Sequence, residues 1–286
     1  MAAKKLGLHD LYEMKRRGGK LTWLTSYDFP TAQFAEAAGL DMLLVGDSLG
    51  MCVYGYSGTV PVTMDQCIAH CQAVRRGAPN TFVMGDMPFL SYQTTDADAV
   101  ANAGRFLKEA EVDAVKLEGG VRVASRIRAI SDAGIVVCGH IGLTPQSSGL
   151  LGGHKAQGRT AETAKLVVDD ALAVEAAGAR LLLVEAVPPE VAAYIARRLA
   201  IPVYSIGAGP DCDGQLLIVS DLIGQFQAFT PKFVKKYMDL AGLVTDAMRA
   251  YCHDVRAGGF PGEEHCYRMV AGEEAKFLAL VQDQDK

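Results

Sequence analysis

Eight short apolar segments alternate with segments of helical character along this chain, and no other feature constrains its fold as strongly. The predicted strands span residues 21–25, 41–45, 81–85, 113–117, 135–139, 181–184, 202–206 and 216–219. Strands alternating with helices form parallel sheets, and a chain of 286 residues has the length of one (β/α)8 barrel. A doubly wound open sheet is the alternative, but it normally has a glycine fingerprint after its first strand, where residues 26–31 contain no glycine.

We expect the whole chain, residues 1–286, to form a single barrel domain with an N-terminal helix at 8–17 and a C-terminal helical extension at 230–256. Other helices are predicted at 30–38, 64–76, 97–110, 120–133, 160–177 and 189–199. Thr63 and Gln66 form the T-x-x-Q pattern of a capping box, which supports the helix that follows them. Two glycine-rich loops, 46–61 and 141–160, are longer than connections require, so they are candidate walls or lids of a site.

Composition excludes several classes of protein. The net charge of −5 and the pI near 5.7 provide no basic surface for nucleic acid. No apolar run approaches the ~18 residues of a membrane span. Residues 1–20 lack the apolar core of a secretory signal peptide, so we expect a cytoplasmic protein. The seven cysteines include no C-x-x-C pair, which argues against a disulfide framework or a structural zinc site.

Three of the predicted strands run directly into a carboxylate, and a fourth, at 41–45, is separated from one by Gly46 alone. The acids are Asp47, Asp86, Glu118 and Glu185. Residues at the carboxyl ends of barrel strands point into the mouth of the barrel, so we expect these four to converge. Their mutual repulsion favours a bound cation, and an all-oxygen ligand set with room for water favours Mg²⁺ over zinc. For any single acid, a cap on the following helix is the alternative interpretation.

Other polar residues near the strand ends predict how a substrate would be held. Glu185 is flanked by Val184 and Ala186, which indicates a partly desolvated carboxylate suited to be a general base. Lys116 shares strand parity with Glu118 and would point inward to bind a substrate carboxylate, unless the strand register is shifted by one. Ser48 could donate to the same carboxylate. His140 orients substrate or is a structural histidine.

This set of groups suits chemistry on a 2-oxo acid. A metal held by carboxylates would polarise the 2-oxo group, and a carboxylate base would then remove a proton from the neighbouring carbon to form an enolate. The segment 207–209, Gly-Ala-Gly after strand 7, resembles the backbone cradle that barrels use for phosphate, but a tight turn fits it equally.

The chain as a whole resembles the 3-methyl-2-oxobutanoate hydroxymethyltransferase family, also called the ketopantoate hydroxymethyltransferase family. The resemblance covers nearly the whole sequence, in order. It is carried by the runs at 25–28 (TSYD), 45–51 (VGDSLGM), 61–63 (PVT), 73–78 (AVRRGA), 86–89 (DMPF), 116–120 (KLEGG), 139–146 (GHIGLTPQ), 206–215 (IGAGPDCDGQ) and 260–264 (FPGEE).

The resemblance implies a barrel of the phosphoenolpyruvate/pyruvate superfamily type that catalyses the first committed step of pantothenate biosynthesis. The implied reaction transfers a hydroxymethyl group from 5,10-methylenetetrahydrofolate, a tetrahydrofolate co-substrate, to 3-methyl-2-oxobutanoate, giving 2-dehydropantoate (ketopantoate). It also implies a homodecamer. In the implied site Asp47, Asp86 and Glu118 belong to the magnesium site, Asp47, Ser48, Asp86 and Lys116 contact the keto acid, and Glu185 accepts the proton.

Two positions depart from the family pattern. Ala186 stands where a cysteine is frequent beside the base, and His154 stands where an aromatic residue is expected. The alternative enzyme is another Mg-dependent C–C lyase or mutase of the same superfamily. Such lyases use a cysteine-bearing lid loop, and the corresponding loop here offers only Cys52. A catalytically silent assembly protein is a further alternative, which the retention of the four acids and Lys116 disfavours.

Overall fold

A computed structural model describes residues 5–282, and in it eight parallel strands close into a barrel. The strands pair in sequence order, and the last pairs with the first. The predicted barrel is therefore confirmed. The strands are β1 (Leu21–Thr25), β2 (Met42–Val45), β3 (Phe82–Asp86), β4 (Ala114–Glu118), β5 (Val137–Gly142), β6 (Leu181–Glu185), β7 (Val203–Ile206) and β8 (Gly214–Leu217).

Helices connect almost every pair of consecutive strands. Among the described residues they are α1 (Leu8–Arg16), α2 (Phe29–Ala37), α3 (Leu49–Cys52), α4 (Met64–Gly77), α5 (Asp96–Ala110), α6 (Ala124–Asp132), α7 (Ser148–Leu151), α8 (Ala161–Ala176), α9 (Pro189–Arg198), α10 (Val219–Leu222), α11 (Leu240–Ala257) and α12 (Glu273–Gln282). Thr63 caps α4 through the predicted capping box with Gln66. No helix lies between β7 and β8 in the described chain, where residues 207–213 form the whole connection.

Several element boundaries differ from the sequence-based prediction, among them the ends of β5, the start of α6, the start of β8 and the start of the C-terminal helix. β8 begins two residues earlier than predicted, at Gly214, because this glycine lies against Leu21: a Cβ added there would come within 2.5 Å of the Leu21 carbonyl oxygen. The C-terminal helix was predicted to start near residue 230 but begins at Leu240. Asp239 caps it by accepting a hydrogen bond from the amide of Gly242.

The chain divides into two compact units, Met1–Met238 and Asp239–Lys286. The first contains the whole barrel. The second contains α11 and α12, in which no side chain is buried. A single domain over the whole chain stays a prediction, and residues 1–4 and 283–286 lie outside the described residues. None of the described helices is long and apolar enough to cross a membrane.

The barrel interior is filled by alternate residues of the strands. Trp23, Met42, Leu44, Met84 and Leu183 belong to one buried cluster that draws on all eight strands. The intervening strand residues pack outward against the helices in a larger second cluster. This alternation decides which polar residues near the strand ends point into the barrel.

Candidate active site

The same alternation brings the predicted polar residues into the barrel. Asp86 follows inward-facing Met84 by two positions, and Glu185 follows inward-facing Leu183 in the same way. Lys116 and Glu118 share parity with inward-facing Ala114 and are each 2% exposed. The inward register predicted for Lys116 is therefore confirmed, and the register with an outward lysine is wrong.

The acids and His140 lie slightly deeper than the sequence indicated. Asp86, Glu118 and Glu185 are the last residues of their strands and do not follow them, and His140 lies within β5, which continues to Gly142. Only Asp47 lies beyond its strand, two residues after β2 ends. These positions set most of the polar groups in the top layer of the barrel core, where water has little access.

The ammonium group of Lys116 forms the centre of the cluster. Its Nζ lies 2.7 Å from Oδ1 of Asp86 and 3.7 Å from Oε1 of Glu118. The same nitrogen lies 3.2 Å from Nδ1 of His140. Lysine nitrogen only donates, so this last contact is a hydrogen bond when His140 is neutral and carries its proton on Nε2.

The general-base candidate faces the other side of the imidazole ring. Oε2 of Glu185 lies 3.1 Å from Nε2 of His140, and the Glu185 side chain is 14% exposed. The expected apolar setting is therefore only part of its environment, because an imidazole contacts the carboxylate. His140 thus connects Lys116 to Glu185, a role that its position in the sequence did not reveal.

Asp47 and Ser48 are held by the loop that follows β2. The amide of Asp47 donates to Oδ2 of Asp86 over 2.9 Å, so the two acids are adjacent. The hydroxyl groups of Ser48 and Tyr27 are 2.8 Å apart. A Cβ on Gly46 would lie 2.8 Å from Oγ of Ser48, which explains why glycine stands at this bend.

Gln146 is the residue of this site that sequence reasoning missed. Its side-chain nitrogen donates to Oδ2 of Asp47 and to the carbonyl of Met87, each over 2.9 Å. Its backbone amide donates to Oε2 of Glu118 over 3.0 Å, and its side-chain oxygen accepts from the Tyr92 hydroxyl over 2.8 Å. A polar residue in the glycine-rich loop after β5 was the available signal, but only the fold shows that it spans two acids.

The acids repel one another in this buried site. Burial raises the pKa of Asp47 well above its usual value, and the nearby Asp86 and Glu118 carboxylates raise it further. Burial also raises the pKa of Asp86, although the Lys116 ammonium opposes this shift. For Glu118, burial is outweighed by His140, Lys116 and the Gln146 amide, so its pKa is lowered.

The two basic side chains respond to the same field. Burial alone would lower the pKa of Lys116, but the carboxylates of Asp86, Glu118 and Asp47 outweigh it and raise that pKa. Burial and Lys116 would lower the pKa of His140, while Glu118 and Glu185 raise it to about 9. Both basic groups therefore become more basic because acids outnumber bases here.

One cavity of about 460 Å³ joins these groups. Every predicted site residue lines it: Asp47, Ser48, Asp86, Lys116, Glu118, His140 and Glu185. Its volume suits a small organic substrate together with part of a larger one. His154 and Ala186, which depart from the family pattern, also line it.

The donor set fits a hard divalent cation held by few protein ligands. Within residues 5–282, no group of three or more His, Cys, Asp or Glu side chains is arranged as a metal shell. Mg²⁺ commonly binds through one or two carboxylates and completes its octahedron with water and substrate oxygens. The adjacent Asp47 and Asp86 supply such a pair.

Comparison with known proteins decides the family. The model of the family described as ketopantoate hydroxymethyltransferase matches residues 5–263. The chain belongs to the ketopantoate hydroxymethyltransferase family. A 3-methyl-2-oxobutanoate hydroxymethyltransferase of Alkaliphilus metalliredigens is 63% identical over 98% of this chain and 99% of its own length. The enzyme of that name from Desulfotalea psychrophila is 52% identical over 96% of this chain and 98% of its own length.

Solved structures place this ketopantoate hydroxymethyltransferase family member among related barrels. A phosphonopyruvate hydrolase crystallised with oxalate and Mg²⁺ has a TM-score of 0.60 at 13% identity, covering 98% of this chain and 96% of its own. A 2,3-dimethylmalate lyase of the PEP mutase/isocitrate lyase superfamily has a TM-score of 0.58 at 18% identity, covering 97% and 96%. At such identities the likeness concerns the fold alone, and it agrees with the predicted barrel.

Proposed function

We propose that this protein transfers a hydroxymethyl group from 5,10-methylenetetrahydrofolate to 3-methyl-2-oxobutanoate, with water, giving ketopantoate and tetrahydrofolate. Family membership supports the reaction. The observation that carries the proposal is the meeting of Lys116, the adjacent Asp47 and Asp86, and Glu185 in one cavity. That arrangement provides a cation for the substrate carboxylate, oxygen ligands for a metal, and a base for the C3 proton.

The residues of the chain divide the work between binding and proton transfer. Lys116 and Ser48 bind the carboxylate of the keto acid, with Lys116 kept charged by Asp86 and Glu118. Glu185 accepts the proton from C3, and the electron pair of that bond becomes the C2–C3 double bond of the enolate. His140 contacts Glu185 through Nε2 and so restricts the position of the base.

The metal site of the proposal comprises Asp47 and Asp86, with Glu118 as the third acid. A divalent cation, Mg²⁺ in this proposal, supplies charge stabilisation for the enolate oxygen when bound. Gln146 keeps Asp47 and Glu118 in place because it donates to both. We extend the proposal to a homodecameric, cytoplasmic enzyme, for which sedimentation equilibrium at several protein concentrations is the direct measurement of assembly.

A Mg-dependent lyase or mutase is the second candidate, since the likeness to such barrels reaches TM-scores of 0.58–0.60. In the present chain the lid-loop thiol is Cys52, and burial raises its pKa, which disfavours the thiolate. The relatives that are at least half identical over most of the chain carry the transferase name. Both observations favour the transferase.

Exchange of the C3 proton of 3-methyl-2-oxobutanoate with deuterated water, measured without folate, tests the proposal most directly. We expect exchange with Mg²⁺ and none after chelation, and net formation of ketopantoate once methylenetetrahydrofolate is added. Exchange that is equally fast without any divalent ion would contradict the metal site. Exchange without carbon transfer from the folate would contradict the assignment of methylenetetrahydrofolate as the donor. It would leave the proposal of an enolising site intact.

A further inference from the structure

One buried carboxylate in the active-site cavity is not used by the proposed keto-acid chemistry. Asp221, in the short helix α10, lines the cavity and is only 6% exposed. Within residues 5–282 its side chain accepts no hydrogen bond and forms no ion pair with any group. A buried carboxylate normally has such partners, so this one is available to a ligand in the cavity.

The wall near this acid suits a flat ring. Phe226 and Phe229 line the same cavity and form an edge-to-face pair with centroids 5.3 Å apart. Phe233 lines it as well. A planar heteroaromatic ring packs on such side chains, and a carboxylate accepts two hydrogen bonds from neighbouring N–H groups on the ring edge.

A second cavity continues from the first along the outside of the barrel. It has a volume of about 970 Å³ and shares Ala186, Lys232 and Phe233 with the active-site cavity. It follows the β7–β8 connection, the only one between consecutive strands in the described chain that has no helix. The missing crossover helix leaves the edge of these strands, including Leu217, open to this groove.

The charged residues of the groove all have the same sign. Lys20, Arg159 and Lys232 line it, and among residues 5–282 no Asp or Glu does. Lys20 already donates to the carbonyls of Pro210 and Cys212. Arg159 and Lys232 form no ion pair with any acid among residues 5–282. In a chain of net charge −5, this groove therefore favours an anionic ligand.

We propose that the two cavities form one binding path for the one-carbon donor, with Asp221 holding the amino-pyrimidine edge of its ring and Arg159 and Lys232 binding its carboxylate tail. This inference rests on the proposed function, because it assigns the donor of that reaction. Its chemistry follows from the residues along the path: the Asp221 carboxylate beside aromatic side chains in the first cavity, Lys232 where the two cavities meet, and Arg159 in the second. The shared residues Ala186 and Phe233 lie between them, and Ala186 directly follows the base Glu185.

The test compares two probes in wild-type and variant proteins by isothermal titration calorimetry with Mg²⁺ and keto acid present. The probes are tetrahydrofolate and its 2-desamino analogue, which lacks one of the two N–H donors facing the carboxylate. Wild type should bind the analogue about tenfold to a hundredfold more weakly, as for a hydrogen bond to a charged group. Asp221→Asn should bind tetrahydrofolate more weakly and lose this discrimination, which a purely structural role would not produce. Ser220→Ala changes the buried neighbour and should retain it.

The tail end is tested with mono- and polyglutamylated donor. For each variant, kcat/KM for the donor is divided by the rate of C3 exchange measured without the donor. Arg159→Gln and Lys232→Met should each lower this ratio by about threefold to fivefold. Both should also reduce the preference for polyglutamate. Lys155→Met, in the same loop as Arg159 but outside both cavities, should leave the ratio unchanged. Suppose that wild type transfers the carbon, that Asp221→Asn still discriminates between the two probes, and that Arg159→Gln and Lys232→Met leave the ratio unchanged: this would overturn the inference alone. If wild type transferred no carbon at all, the proposed function would be overturned and the inference with it.

Discussion

The side-chain amide of Gln146 donates to Oδ2 of Asp47 over 2.9 Å, although the two residues are 99 positions apart in sequence. The same residue reaches Glu118 through its backbone amide. One glutamine from the loop after β5 therefore holds two acids in position, one just beyond β2 and one at the end of β4. The positions of the acids therefore depend on the loop after β5 as well as on the barrel strands.

Replacing Gln146 tests this arrangement. Gln146→Met keeps the length of the side chain but removes the donor to Asp47 and to the Met87 carbonyl, so we expect the unfolding free energy to fall by about 1–3 kcal/mol. Donor-free C3 exchange should fall about tenfold to a hundredfold, as for a residue that orients metal ligands. Gln93→Met is the matched control because Gln93 makes one bond to the Gln146 side chain. An equal loss of exchange in both variants would contradict the role given to Gln146.

Glu185→Gln tests the assignment of the base. The amide keeps the size of the side chain and cannot accept the C3 proton, so exchange should fall by a factor of about 10²–10⁴. Calorimetry should still detect binding of Mg²⁺ and keto acid, because Asp47, Asp86 and Lys116 are untouched. Glu190→Gln, an exposed acid in the first turn of α9, is the control. Exchange at the wild-type rate in Glu185→Gln would transfer the role to another group.

Asp47→Asn should stabilise the protein when no metal is bound. The folded state raises the pKa of Asp47 by burial and by repulsion from Asp86 and Glu118, so it holds this proton more tightly than the unfolded chain does. The resulting penalty is absent below the ordinary pKa of 3.8 and grows as the pH rises through the interval between that value and the raised one.

Thermal unfolding with a chelator is the measurement for this variant. Near neutral pH, Asp47→Asn should exceed wild type by about 0.5–2 kcal/mol in unfolding free energy, and the difference should shrink towards about pH 4. Added Mg²⁺ should raise the melting temperature of wild type and not that of the variant. Asp169→Asn, at a partly exposed acid paired with Lys165, should show neither effect. If Asp47→Asn melted below wild type at every pH with the chelator present, the claim that Asp86 and Glu118 repel the Asp47 carboxylate would be contradicted.

Two glycines give opposite predictions for the same change. A Cβ on Gly85, the residue before Asp86, would lie 2.4 Å from Cδ1 of buried Phe106. Gly85→Ala should therefore lower the unfolding free energy by about 1–3 kcal/mol. Gly104 lies within α5 with nothing within 4 Å of an added Cβ, so Gly104→Ala should raise it by about 0.5–1 kcal/mol. Urea unfolding measures both, and destabilisation by Gly104→Ala would contradict the open space at that position.

Much of the site was accessible from the sequence because barrel strands have a strict two-residue period. The runs ending in Asp86, Glu118 and Glu185 predicted acids at the mouth of a barrel, and Lys116 two residues before Glu118 was predicted to point inward. All of these residues line the cavity. This alternation of inward and outward side chains is a local property of each strand, so it can be predicted from the sequence of that strand alone.

The tertiary structure alone decided how these groups interact. Contacts such as those of Lys116 with Asp86 and His140, or of Gln146 with Asp47, join residues whose separation in sequence carries no distance information. The pairing of β3, β4 and β5 and the course of the loop after β5 set those distances. The start of β8 at Gly214 was also mispredicted, because its register depends on close contact with Leu21 of the neighbouring strand β1, which is distant in sequence. The sequence thus determined the barrel and the chemical types of its site residues, whereas their pairing, burial and shifted pKa values required the closed barrel, since they arise from neighbours that only folding brings together.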